Sequence, residues 1–412
     1  MTNTKYDKKA KIAIYLVTFL FFAWGLTMNL VNALNTPMAN YMEISQTKAS
    51  LLQLAYYGAY FFLAIPASIV ARKFGYKVGM MMGLLLFIIG AVLTMPATYT
   101  MSYGLFLFAM FVTASGAATL ETNCNPYITK LGDPKKESFR LNLAQSFNGV
   151  GNIVGPFILG SLIGETIAPG QSGFEAAKSE FLTGTRTIYI GIAIAIAIVF
   201  LFFFFIKLPS PDNGDEQVSN ESTLVVLKRL FNVKHFRLGV IAAFIFIGLQ
   251  VVGMSLFSSY AMEFWEGMSA GTATKYLSIV SLLFTVGRFI TTPLMNKVSP
   301  NKILGIYMTI SAILMGVVSL GFGKFSVIAF MVAYLFISIG FPTIYSLSLA
   351  GIKGNDAKTG ASLLTMSIVG AALIPVLISA IGDKFSLQVA MAITAVGFIY
   401  CAWYGFVGSK RR

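Results

Sequence analysis

The chain has 412 residues, 56% of them hydrophobic and only 11% charged, with a mean hydropathy of +0.76. That balance excludes a soluble globular domain. A formal net charge of +14 is compatible with nucleic-acid binding only if the bases share an exposed surface. Here they lie between apolar runs, so no nucleic-acid partner is expected.

Twelve mainly apolar runs of about 20 residues follow one another along the chain, each long enough to cross a bilayer. They predict an all-α membrane protein with twelve transmembrane helices. An even number of crossings puts both termini on one side. Most of the 30 Lys and Arg, from Lys5 through Arg72, Lys77, Arg140, Lys228 and Lys302 to Arg412, then share that side. The positive-inside rule makes it the cytoplasm, so the expected location is the cell membrane, multi-pass, with both termini cytoplasmic. The first run is too long for a secretory leader and no small-residue cleavage pattern follows it, so it is expected to remain as a span. Cys124 and Cys401 lie far apart in apolar runs and read as small buried hydrophobes.

Segment one, Ile12 to Met38, carries Asn29, Asn32 and Asn35 on one helical stripe, with Pro37 expected to end it. Segment two has Gln53, Tyr57 and Tyr60 at i, i+4 and i+7, followed by a cationic turn from Ser68 to Lys77. Segment three, Val78 to Thr94, reads as scaffold. Segment four holds Glu121. All 16 Asp and Glu can be set against the apolar runs, and every other one falls in a tail, a loop or a run end. An intramembrane charge costs at least ~2.5 kcal/mol, so such a residue is a functional candidate by default. Asn125 stands one turn further on, and Pro126 removes the helical donor for the Thr122 carbonyl. Segment five advances through Asn142, Gln145, Asn148 and Asn152 on one face. Segment six is apolar after Tyr189.

Pro209 to Val233 is the longest charged stretch, with a short surface helix expected from Glu221 to Phe231. It divides the chain into an amino-terminal half (1–207), a cytoplasmic linker (208–233) and a carboxy-terminal half (234–412). The halves echo one another. Arg72, Lys77 and Gly79 recur as Lys297, Lys302 and Gly305, and Gly151 to Pro156 recurs as Gly370 to Pro375, each roughly 220 residues on. Two six-helix halves are the arrangement of major facilitator superfamily (MFS) transporters. The second half offers Gln250, Ser255 and Tyr260 in segment seven, Arg288 in segment eight, and a broken helix around Pro342 in segment ten.

A lone acid in apolar surroundings can stay protonated until a path to water opens, which is what proton coupling needs. The alternative is a permanently neutral acid that bonds Asn125 or a neighbouring helix. Asn, Gln, Tyr and Ser supply donors and acceptors for the vicinal hydroxyls of a sugar, and Trp24, Tyr57, Tyr60 and Tyr260 offer rings for its apolar face. For Arg288, pairing with carbonyls is at least as good a reading as binding a charged substrate. The single His, His235, has no acid or Ser around it, and there is no phosphate-binding Gly loop. No enzyme activity and no cofactor are expected.

The runs Leu120-Glu121-Thr122 with Asn125-Pro126, Phe139-Arg140-Leu141-Asn142-Leu143-Ala144-Gln145 with Phe147-Asn148, and Pro342-Thr343-Ile344-Tyr345-Ser346-Leu347 resemble the fucose:proton symporter branch of the MFS. The resemblance implies the MFS fold, alternating access and uptake of a neutral sugar with a proton as coupling ion. It assigns proton coupling to Glu121 and sugar contacts to Gln145, Asn148 and Gln250. Asn29, Asn32, Gln53, Tyr57 and Asn125 complete the candidate binding residues. Three positions depart from that branch. Asn32 stands where the fucose carrier has an Asp, Ser259 where it has an Arg, and Met254 where it has a Trp. An amide at Asn32 cannot titrate, which favours a sugar uniporter as the alternative. A drug efflux carrier would have a more apolar cavity. The expected partners are a small neutral sugar and the lipid bilayer, with the protein a monomer.

Overall fold

A computed structural model describes residues 4–44, 51–162, 167, 169–209, 221–268 and 270–410, which are nearly all helical and contain no strand. In lipid no water completes an interrupted hydrogen-bond ladder, so a spanning backbone must satisfy itself, as a helix does. Ten helices among the described residues are long and apolar enough to cross a membrane. The side chains they leave exposed include Ile194, Ile198, Leu201, Phe202 and Phe205 along one of them, a surface suited to lipid. Contacts group the chain into two compact units: Met1–Leu131 with Phe147–Ser219, and Gly132–Ser146 with Asn220–Arg412.

The first unit comprises α1 (Thr4–Tyr41), α2 (Leu51–Tyr99), α3 (Tyr103–Lys130), the later part of α4 (Glu137–Leu162) and α5 (Phe174–Phe205). One expectation needs correcting. Helix α1 runs past Pro37 to Tyr41; a proline removes one ladder donor and can bend a helix without ending it. The cationic turn expected between Ser68 and Lys77 falls at Gly75, whose φ of 84° and ψ of 166° separate two helical stretches of α2. A conformation at positive φ is open to glycine without steric penalty, so one residue redirects the chain.

Small residues let α2 and α3 touch backbone to backbone. A Cβ on Gly116 would overlap the Phe87 backbone, and one on Gly90 would overlap Thr113. Lys77 donates from Nζ to the Phe204 and Ile206 carbonyls at 3.0 and 2.7 Å, closing the end of α5.

The second unit comprises the start of α4, the short α6 (Thr223–Asn232), then α7 (Lys234–Phe264), α8 (Ala270–Leu294), α9 (Pro300–Ser319), α10 (Lys324–Ile337), α11 (Gly340–Leu349), α12 (Gly354–Met366), α13 (Gly370–Lys384) and α14 (Leu387–Trp403). Helix α6 is the surface helix expected in the charged stretch. It buries Val226 and Leu230 and exposes Leu224 and Val225. Arg229 pairs with Asp356 on α12 and with Glu221. Those carboxylates, Asp356 first, hold its guanidinium even more firmly charged than usual. Segment ten is broken between α10 and α11, as its proline suggested.

The sequence echo corresponds to shared contacts inside each unit. A Cβ on Gly151 of α4 would overlap the Phe22 carbonyl of α1, and one on Gly370 of α13 the Phe244 carbonyl of α7. Where Lys77 at the start of segment three closes α5, Asn301 and Gly305 of α9 pack on Gly405 and Phe406 beyond α14.

Candidate functional site

In the first unit every residue of α3 from Thr113 to Thr129 is buried. A helix enclosed on all sides needs its polar groups answered from within. The hydroxyls of Thr113, Ser115, Thr119 and Thr122 each donate to the carbonyl four residues back, at 2.7 to 2.9 Å. Glu121 lies in the middle of this stretch, 6% exposed. The Asn125 amide stands 3.5 Å from its Oε1, at the limit of a hydrogen bond. From α2 the Tyr60 hydroxyl also bonds the carboxyl. The Tyr60 ring lies 5.9 Å from that of Tyr56, and Tyr56 meets Tyr57 edge-on at 5.8 Å. The Asn125 Oδ1 is buried with no partner among the described residues. The acid therefore sits among phenols and amides, with an acceptor left for a hydroxyl to satisfy.

In the second unit Arg288 of α8 is the centre. Proline at 342 has no N–H for the Ser338 carbonyl, and Arg288 Nε donates to that oxygen at 2.7 Å. Its Nη1 donates to the Gln145 carbonyl of α4 at 2.6 Å. The guanidinium lies 4.8 Å over the Phe284 ring, which is 6.2 Å from that of Tyr334. The Tyr334 hydroxyl donates to the Gln250 carbonyl of α7 at 2.6 Å. Gln145 is buried and Gln250 half-buried. Further along α4, Asn142 donates to Thr343 Oγ1 at 3.2 Å, and the Ser138 and Ser346 hydroxyls share a 2.6 Å hydrogen bond.

The expected residues thus have different surroundings. Glu121, Asn125 and Tyr60 come together, with Tyr57 joined to Tyr60 through Tyr56. Gln145 and Gln250 are linked through Arg288, Phe284 and Tyr334. Asn148 donates to the Phe21 carbonyl at 3.1 Å and accepts from Asn152 at 3.4 Å. The side chains of Asn29, Asn32 and Gln53 lie outside the described residues. Tyr260 is a core residue rather than an open platform. It is fully buried, stacked on Phe264 and bonded to the Val318 carbonyl. Sequence reasoning missed Tyr56, which carries no spacing signal of its own, and Ser338, which the missing N–H of Pro342 could have revealed. Among the described residues no group of His, Cys, Asp and Glu could hold a metal ion.

The profile of the Major Facilitator Superfamily matches residues 16–355, and the chain belongs to that superfamily. It is a multi-pass membrane transporter, not an enzyme. Its relatives include the L-fucose-proton symporter of Escherichia coli, 33% identical over 90% of this chain and 87% of that one. A glucose/galactose transporter of Brucella abortus is 30% identical over 99% of this chain and 97% of that one. The crystal structure of the Escherichia coli fucose:proton symporter covers 96% of this chain and 98% of its own, with a TM-score of 0.86 at 32% identity.

Proposed function

We propose that this transporter imports a neutral monosaccharide, L-fucose or a related hexose such as glucose or galactose, together with a proton by alternating access. The observation that carries this reading is Glu121, an acid enclosed in a spanning helix and bonded, among the described residues, to neutral hydroxyl and amide groups. An isolated charge there is costly, so proton release must coincide with access to water. A protonated Glu121 crosses the cycle as a neutral group. Asn125 leaves a buried acceptor beside it, a natural partner for a sugar hydroxyl. Asn29, Asn32, Gln53, Tyr57 and Asn148 are the further proposed sugar contacts of the first unit, and Gln145 and Gln250 those of the second. The relatives named for L-fucose-proton symport and for glucose and galactose transport support the same substrate class.

The proposed topology is twelve transmembrane helices in two six-helix halves, 1–207 and 234–412, joined by the linker 208–233, with both termini cytoplasmic and a monomer as the working unit. Helix α2 counts once among the ten candidate spans, yet its 49 residues amount to about 74 Å of helix, enough for two crossings around Gly75. Helix α4, with 26 residues, is long enough for another.

The test is purified protein in liposomes with labelled monosaccharides and a pH dye. L-fucose, glucose or galactose influx accompanied by alkalinisation of the medium is expected. Influx without alkalinisation would select the uniporter that Asn32 favours. Transport of lipophilic drugs and no sugar would select an efflux carrier.

A further inference from the structure

We propose that Arg288 is a positioning residue for sugar recognition, holding the α4 backbone at Gln145 in register with the break in segment ten. This rests on the reading of Gln145 as a sugar contact. One guanidinium answers two carbonyls from different elements: Ser338, orphaned by Pro342, and Gln145. Such a rigid fork sets the spacing between its acceptors, which a Lys ammonium on a flexible stem does not do. Through Phe284 and Tyr334 the same group is joined to the Gln250 carbonyl, so both expected sugar contacts of this unit share one frame.

Local packing alone does not account for an arginine here. It is 5% exposed, and no acid pairs with it among the described residues. A buried charge held by carbonyls and a ring is an expensive way to fill space that an apolar side chain would fill without desolvation. A cap for Ser338 would need one donor. The second donor is spent on the backbone of Gln145.

The experiment compares Arg288→Met and Arg288→Lys, each alone and combined with Pro342→Ala, and Gln145→Ala, reconstituted in liposomes with labelled L-fucose and D-glucose. Pro342→Ala returns an N–H to the Ser338 carbonyl, so it relieves any purely capping role. Arg288→Met is expected to raise the KM for the transported sugar about ten-fold or more, with a smaller change in maximal rate. Arg288→Lys should recover part of the loss. Pro342→Ala should restore the thermal stability of Arg288→Met in detergent but leave its KM high. If Pro342→Ala restores KM as well, or if Arg288→Met leaves KM within two-fold of the parent, the positioning role is overturned. Should Arg288→Met fail to fold, Arg288→Lys with and without Pro342→Ala gives the same comparison. An unchanged KM in Gln145→Ala would sink the sugar-contact assignment and the inference with it. A raised KM in Gln145→Ala beside an unchanged one in Arg288→Met would sink the inference alone.

Discussion

Glu121 draws its chemistry from what surrounds it. Its neighbours are the Tyr60 hydroxyl and the Asn125 amide, neutral groups that can bond either protonation state without supplying a compensating charge. Tyr60→Phe keeps the ring and deletes the hydroxyl. The ~1 kcal/mol scale of one neutral hydrogen bond sets an expected loss of about five-fold in proton-driven uptake, with little change in thermal stability. Uptake under an imposed pH gradient, beside a melting curve in detergent, measures both. The pairing of Glu121 with Asn125 was legible in the sequence because residues four apart share a helical face. The approach of Tyr60 was not, since it depends on how α2 and α3 are rotated against each other, which helical period alone does not specify. Arg288 lay between the two cases: pairing with carbonyls was one of its two readings, and the structure supplies those of Ser338 and Gln145.

At the scale of elements, the helices are held by glycines where backbones meet and by donors where helices end. Gly151→Val and Gly370→Val should each destabilise their unit by ~1–3 kcal/mol or more, because the added carbons meet the Phe22 and Phe244 carbonyls, which cannot rotate away. Gly104→Ala meets nothing within 4 Å and should be tolerated. Expression level and detergent melting temperature distinguish the three. Lys77→Met removes two donors from the end of α5 and should lower stability by ~0.3–1 kcal/mol, up to about 2 if its partly buried geometry counts in full. Apolar runs and a proline were enough to point to the ten candidate spans seen among the described residues and to the break in segment ten. Their ends were harder to read. Pro37 looks like a stop, yet α1 continues to Tyr41, whereas the turn expected in the Ser68–Lys77 stretch does fall there, at Gly75.

For the whole molecule, charge placement carries the topology. The basic loops proposed as cytoplasmic include Lys135, and the opposite side includes Lys275; both lie in or beside exposed stretches. With Cys124 and Cys401 replaced, Lys275→Cys in intact cells should react with a membrane-impermeant thiol reagent, and Lys135→Cys only after permeabilisation. The reverse pattern would invert the proposed orientation. The two-fold echo was visible in the sequence as matching glycines and bases, because close helix contacts leave no other choice of residue. The polar groups of the site are not echoed: Gly340 stands near where the second half would carry a counterpart of Glu121. Chemistry was therefore legible from single residues, whereas architecture was legible from repetition.

The most direct test is simultaneous measurement of sugar and proton flux in liposomes carrying the parent protein or Glu121→Gln. The parent should accumulate sugar against its gradient when a proton gradient is imposed. Glu121→Gln should exchange labelled for unlabelled sugar while neither accumulating it nor moving protons. Undiminished accumulation and proton entry in Glu121→Gln would contradict the assignment of coupling to this acid.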